Sequence, residues 1–257
     1  MKKTIFILLV LFFACNIQAQ EDSIKDALRK QGERIVDKYI SIINFQREKT
    51  DSIMYVESYI VARNHPKDTM KIYRWYMQPR FMRMEIWQDG KIEDGFYTDN
   101  VSIFRRFHSG QRAWMDLAQD NFYNYVLSMD IRGALYEWRS KGAEITYAGE
   151  YNLDGHQVDR VYVICPGFFD RHYFFEKESG MLFMLTEERH TYTDGKINPN
   201  AVVVDWRAWN EFTPYHGFFL PTIESYQAEG EVVVIHHKYK YIPKQGNIFT
   251  DDYIKRI

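Results

Sequence analysis

Residues Lys71 to Gly90, KIYRWYMQPRFMRMEIWQDG, constrain the fold more than any other stretch of this chain. They read as two strands rich in aromatic residues and Met, joined at Gln78-Pro79-Arg80 and closed by an Asp89-Gly90 turn. Tyr73, Trp75 and Met77 alternate onto one face of the first strand. In the second, Met82, Met84 and Ile86 share one face while Arg83 and Glu85 share the other, the period of two expected of a sheet with one apolar and one wet side. Trp87 breaks the pattern by falling on the charged face. A large one-sided sheet has to cover its apolar face with another layer, with itself as a barrel, or with a ligand.

The rest of the chain repeats the β signal. Strands are predicted over Ile53 to Arg63, Phe96-Tyr97, Val101 to Phe107, Glu144 to Glu150, Val158 to Cys165, His172 to Glu176, Met181 to His190, Val202 to Trp209, Thr222 to Gln227 and Val232 to Tyr241, ten segments besides the two strands of the opening hairpin. Asp-Gly pairs at 89–90, 94–95, 154–155 and 194–195 supply hairpin turn chemistry and point to an antiparallel meander. Helical spacing is confined to Glu21–Ile43 and to one or two segments between Ala118 and Gly142, where Phe122, Tyr125, Val126, Met129, Leu135 and Trp138 recur at intervals of three and four. Strands and helices do not alternate, which argues against a parallel nucleotide-binding sheet. The 17% aromatic content, with Tyr 19, Phe 18 and Trp 6, is ample to cover such a sheet.

The N-terminus reads as an export signal. Lys2 and Lys3 precede an apolar run from Thr4 to Ala14, and Ile17-Gln18-Ala19 ends on the small residue a signal peptidase requires. The run is well short of the roughly 20 residues that span a bilayer. Residues 1–19 are therefore read as a signal peptide and residues 20–257 as one domain, with no linker or repeat to divide it. Phe12-Phe13-Ala14-Cys15 offers an alternative, a lipid anchor at Cys15, although the Leu of a lipobox is missing. Cleavage after Ala19 leaves Cys165 as the only cysteine, so no intramolecular disulfide forms, and Cys165 reads as a buried small hydrophobe.

Several function classes have no support. The formal charge of −2 becomes −4 when Lys2 and Lys3 leave with the signal, so nothing favours nucleic acid as a partner. No His-x-x-x-His or His-x-His spacing occurs among the eight histidines; the adjacent His236 and His237 point to opposite faces of a strand, and no metal site is expected. A Gly-x-Ser-x-Gly elbow and a Gly-rich phosphate loop are both absent, so no catalytic residue and no cofactor is assigned.

The segment YRWYMQPRFMRMEI (73–86) resembles the strand–proline–strand entry of the LolA-like superfamily of periplasmic outer-membrane lipoprotein carriers and their relatives. Looser likenesses follow in order: the helix Gly32–Ile40, Asp154-Gly155 before the strand Val158–Cys165, Tyr173-Phe174-Phe175 with Ser179-Gly180-Met181-Leu182, and Tyr215-His216-Gly217-Phe218-Phe219-Leu220-Pro221 before the last strands. The resemblance implies an α+β fold, a curved antiparallel sheet forming an unclosed β-barrel covered by a few helices, with an apolar groove for acyl chains. Gln78 stands where the carrier has an Arg that helps hold the lid.

The expected function is thus non-enzymatic binding of lipid or lipoprotein acyl chains in the periplasm or envelope of a Gram-negative bacterium. Tyr73, Trp75, Met77, Met82, Met84 and Ile86 are the candidate groove residues. A monomer is expected, with envelope membrane proteins as further partners. The competing readings are an exported hydrolase of glycans or lipids, and a structural envelope protein that works through its outer surface.

Overall fold

A computed structural model describes residues 2–43, 52–62, 65–77, 81–98, 103–106, 112–115, 133–166, 169–193, 196–215, 218–228 and 231–243. It opens with one helix, α1 (Lys2–Ile43), which extends the predicted Glu21–Ile43 segment toward the N-terminus. The helix presents Val36, Tyr39 and Ile43 to the rest of the molecule, with ion pairs Lys25–Glu21, Arg29–Glu33 and Lys30–Asp26 on its exposed side.

Thirteen strands follow among the described residues, one more than the twelve segments that the periodicity predicts. The first group comprises β1 (Ser52–Ala62), β2 (His65–Met77), β3 (Phe81–Gln88), β4 (Lys91–Thr98), β5 (Ile103–Arg106) and β6 (Arg112–Met115). The second comprises β7 (Glu144–Leu153), β8 (His156–Cys165), β9 (Phe169–Glu176), β10 (Leu182–Thr193), β11 (Lys196–Tyr215), β12 (Phe218–Ala228) and β13 (Glu231–Pro243). All belong to one antiparallel sheet in the order β6-β5-β4-β3-β2-β1-β13-β12-β11-β10-β9-β8-β7. The sheet does not close: β6 and β7 are its edges, and two meanders meet where β1 pairs with β13. This is the unclosed half-barrel that the resemblance implies.

Turn chemistry explains some of the joints. Asp89-Gly90 and Asp154-Gly155 all have positive φ, the left-handed pair that a tight hairpin needs. Asp94-Gly95 differs from expectation, because it lies inside β4. Asp94 there pairs with Arg105 across the sheet at 2.8 Å. Asp194-Gly195 lies outside the described residues.

The second helical region is also corrected. Residues 133–142 form a series of turns closed by bonds such as Tyr136 N–H to Gly133 O and Trp138 N–H to Leu135 O. The remainder of that expectation, 118–132, lies outside the described residues. Trp138 and Leu135 still bury as their spacing demands, and Asp37 of α1 holds the segment by pairing with Arg139 at 2.7 Å and accepting from Trp138 Nε1 at 3.2 Å.

The helix and this turn segment lie on the same face of the sheet, here called the inner face. One apolar cluster joins Val36, Leu135 and Trp138 to β7–β10, while a second joins Ile43 to β1–β4 and β12; Tyr39 packs against both. Gly32 permits the close approach of α1 to β7, since a Cβ there would lie 2.9 Å from both Ile145 Cγ2 and Tyr147 N.

Candidate functional site

Between the two apolar clusters the inner face leaves a groove of about 820 Å³, within the usual range for small-molecule sites. Val56, Ile72, Tyr76, Met82, Met84 and Ile235 supply much of its apolar floor, and Tyr39 reaches it from α1. The strand registers explain the grouping. Tyr76 faces Met82, Arg74 faces Met84 and Ile72 faces Ile86 across β2–β3, so the Met-rich side of β3 continues onto the even-numbered side of β2.

The six candidate residues therefore do not share a face. Met82 and Met84 line the groove, and Ile86 lies on the same side without lining it. Tyr73 and Trp75 are paired with Glu85 and Arg83 and point to the outer side. There they build an aromatic cluster with Tyr55 and Trp87: Tyr55–Trp75 is 5.4 Å and Tyr73–Trp87 is 6.0 Å between ring centroids. The expectation for the Met77 side chain lies outside the described residues. The sequence did not reveal that an odd position on β2 pairs with an odd position on β3.

The wet side predicted for β3 is not wet. Arg83 and Glu85 are only 4% and 3% exposed, paired with each other, with the Arg83 guanidinium 4.8 Å above the Trp75 ring and Trp87 Nε1 donating to Glu85 at 3.0 Å. Trp87 falls on the charged face because it covers those charges.

The groove has a polar floor that sequence reasoning missed. Ser58 of β1 and His237 of β13 are direct cross-strand partners, with Ser58 Oγ 2.9 Å from His237 Nδ1. His237 Nε2 lies 3.4 Å from Glu224 Oε2 on β12, and Arg207 Nε of β11 is 3.0 Å from Glu224 Oε1. From the other side Arg74 Nη1 donates to Ser58 Oγ at 3.1 Å. A carboxylate only accepts, so His237 Nε2 carries a proton and donates to Glu224, while Ser58 Oγ accepts from Arg74. Burial by itself would push Glu224 upward, but the positive charge of Arg207 and the hydrogen bond from His237 outweigh it and hold the carboxyl below its ordinary value. One sign was legible in advance, because Arg74 interrupts the apolar side of β2 between Ile72 and Tyr76.

Serine, imidazole and carboxylate in a row have the composition of a hydrolytic triad, but the setting opposes that use. Ser58 is 0% exposed, its oxygen already accepts from Arg74, and its strand is paired on both sides, which leaves no backbone donors to stabilise an oxyanion. Among the described residues, no group of three or more His, Cys, Asp or Glu side chains is placed to hold a metal ion. Cys165 is buried in the core beside β7 and β9, and burial pushes its thiol upward, against reactivity.

Similar architectures occur among solved structures. A LolA superfamily protein from Nitrosomonas europaea superposes with a TM-score of 0.56 at 15% identity, covering 86% of this chain and 98% of that one. The fold is LolA-like. A domain named for outer membrane lipoprotein sorting, from Vibrio parahaemolyticus, gives a TM-score of 0.57 at 9% identity over 89% of this chain and all 100% of its own. A DUF1329 family protein from Desulfovibrio piger gives 0.54 at 10% identity, with 88% and 98% of the two chains covered. No protein-family model and no curated protein matches the sequence. The LolA-like likeness is thus one of backbone architecture, carried by the long unclosed sheet and the helix laid across it.

Proposed function

We propose that this protein is an exported, non-enzymatic envelope protein that holds the acyl chain of a lipid or lipoprotein in the groove between α1 and the inner face of the sheet. The observation that carries this reading is the groove itself: some 820 Å³ of space lined by Met82, Met84, Val56 and Ile72, left open where a packed core would be filled. Flexible Met side chains suit an irregular hydrocarbon occupant. Each methylene buried there contributes about 0.8 kcal/mol, so a long chain is retained without any covalent step. The signal at residues 1–19 would deliver the protein to the periplasm as residues 20–257, a single half-barrel domain acting as a monomer, with an anchor at Cys15 as the alternative address. A role in outer-membrane lipoprotein sorting, with envelope membrane proteins as partners, fits the company of its structural neighbours.

Native mass spectrometry of the protein purified from its export compartment tests the reading. The expected spectrum carries one lipid or acylated species per chain, and Met84→Asp, which places a charge on the groove floor, removes it while circular dichroism stays unchanged. A lipid-free wild-type spectrum, together with no uptake of added long-chain ligands, refutes it.

A further inference from the structure

The groove is apolar, yet one of its cations is not matched by a carboxylate partner. Three arginines line it. Arg171 is paired with Glu187 at 2.8 Å and Arg207 with Glu224 at 3.0 Å. The third, Arg74, donates only to the neutral hydroxyl of Ser58, and no other hydrogen bond of its guanidinium occurs among the described residues. Its cross-strand neighbours are Val56 on β1 and Met84 on β3, so the guanidinium is flanked on both sides by apolar side chains. Asp205, the remaining acid of the lining, has a partner of its own. The connected group Arg74–Ser58–His237–Glu224–Arg207 sets two guanidinium groups against one carboxylate. It is one anion short.

Resting on the acyl-chain reading, the geometry points to Arg74 as the anchor for the anionic head group of the groove's ligand. The head group is a carboxylate or a phosphate, the two anions whose paired oxygens match a guanidinium fork. Ser58 occupies one Nη1–H, which fixes the plane of the guanidinium and leaves the rest of the fork for the ligand. His237 and Glu224 in turn orient Ser58, so they are positioning residues and do not contact the ligand in this scheme. The hydrocarbon then runs from Arg74 over Met84 and Met82. A ligand of this class is a free fatty acid or a lipid with a single phosphate, and a neutral glyceride or wax is the class the site discriminates against.

Displacement of a neutral fluorescent alkyl probe from the delipidated mature protein provides the test, with palmitate, hexadecyl phosphate, 1-hexadecanol and inorganic phosphate as competitors. Both anionic alkyl ligands should bind about 10- to 100-fold more tightly than hexadecanol, the advantage a charge-assisted hydrogen bond gives. Arg74→Met should shrink that ratio to less than about threefold and leave hexadecanol affinity unchanged, whereas Arg74→Lys should retain part of it. Should Arg74→Met fail to fold, Glu224→Gln supplies an independent reading: deleting the nearby negative charge should tighten palmitate and not hexadecanol. Equal affinities for palmitate and hexadecanol in the wild type would overturn the head-group assignment while leaving the acyl groove standing. Failure of every alkyl ligand would overturn both. Inorganic phosphate competing as well as hexadecyl phosphate would make Arg74 a free-anion site and overturn the assignment to a lipid.

Discussion

Glu224→Gln puts the polar floor of the groove to a quantitative test. The substitution keeps the shape of the side chain and removes the charge that sits between Arg207 and His237, leaving Arg74 without its nearby counter-charge. Breaking a buried pair from one side costs about 3–5 kcal/mol. That figure needs a discount here, because Glu224 is 12% exposed but Arg207 is 47% exposed and recovers solvation once released. The expected loss is therefore about 2–3 kcal/mol at pH 7, a drop of roughly 5–10 °C in Tm for a domain of this size. The pH dependence has a definite sign. The carboxyl is held below the ordinary glutamate value of 4.5 in the folded chain, so its contribution is complete above that value and is lost as pH falls through the lower, folded one. Urea unfolding of wild type and variant should show the full difference at pH 7 and a shrinking one in the acid range. A difference under about 0.5 kcal/mol at pH 7 would refute the view that Glu224 organises the network. So would a difference that stays constant into acid.

Two further outcomes concern packing. Gly32→Ala gains about 1 kcal/mol of helix propensity but drives a methyl to 2.9 Å from the backbone nitrogen of Tyr147, an overpacking cost of about 1–3 kcal/mol, so thermal unfolding should move downward or at best stay level. A clear rise in Tm would mean that α1 does not lie so close to β7. The Tyr173 hydroxyl is buried at the groove beside Arg171, with no hydrogen bond of good geometry among the described residues, and burial pushes its pKa up to about 12. Tyr173→Phe should thus be neutral or stabilising by up to about 1 kcal/mol in denaturant unfolding, and a loss above that amount would reveal a partner for the hydroxyl.

Much of the architecture was legible in the chain because it follows from local patterning. The alternation from Lys71 to Gln88 gave β2 and β3, Asp89-Gly90 gave their partner turn toward β4, and the helical spacing of Glu21–Ile43 gave α1, although its docking by Val36, Tyr39 and Ile43 came from the structure. The candidate site was less legible. Alternation says that Tyr73 and Trp75 share a face and that Met82 and Met84 share a face, but the relation between the two faces depends on strand register. One residue more or less in the joint exchanges them. For the same reason Arg83 and Glu85 read as a wet side, when Trp75 and Trp87 cover them from the outer face.

The sequence by itself determined that the chain is a one-sided antiparallel sheet with an amphipathic helix at its start, because periodicity and turn residues act over a few positions. Only the tertiary structure decided what the inner face holds. Ser58 and His237 are 179 residues apart and meet because β1 and β13 close the two meanders against each other. That long-range pairing, which no local pattern encodes, brings Arg74, Ser58, His237, Glu224 and Arg207 together beside the apolar floor of the groove.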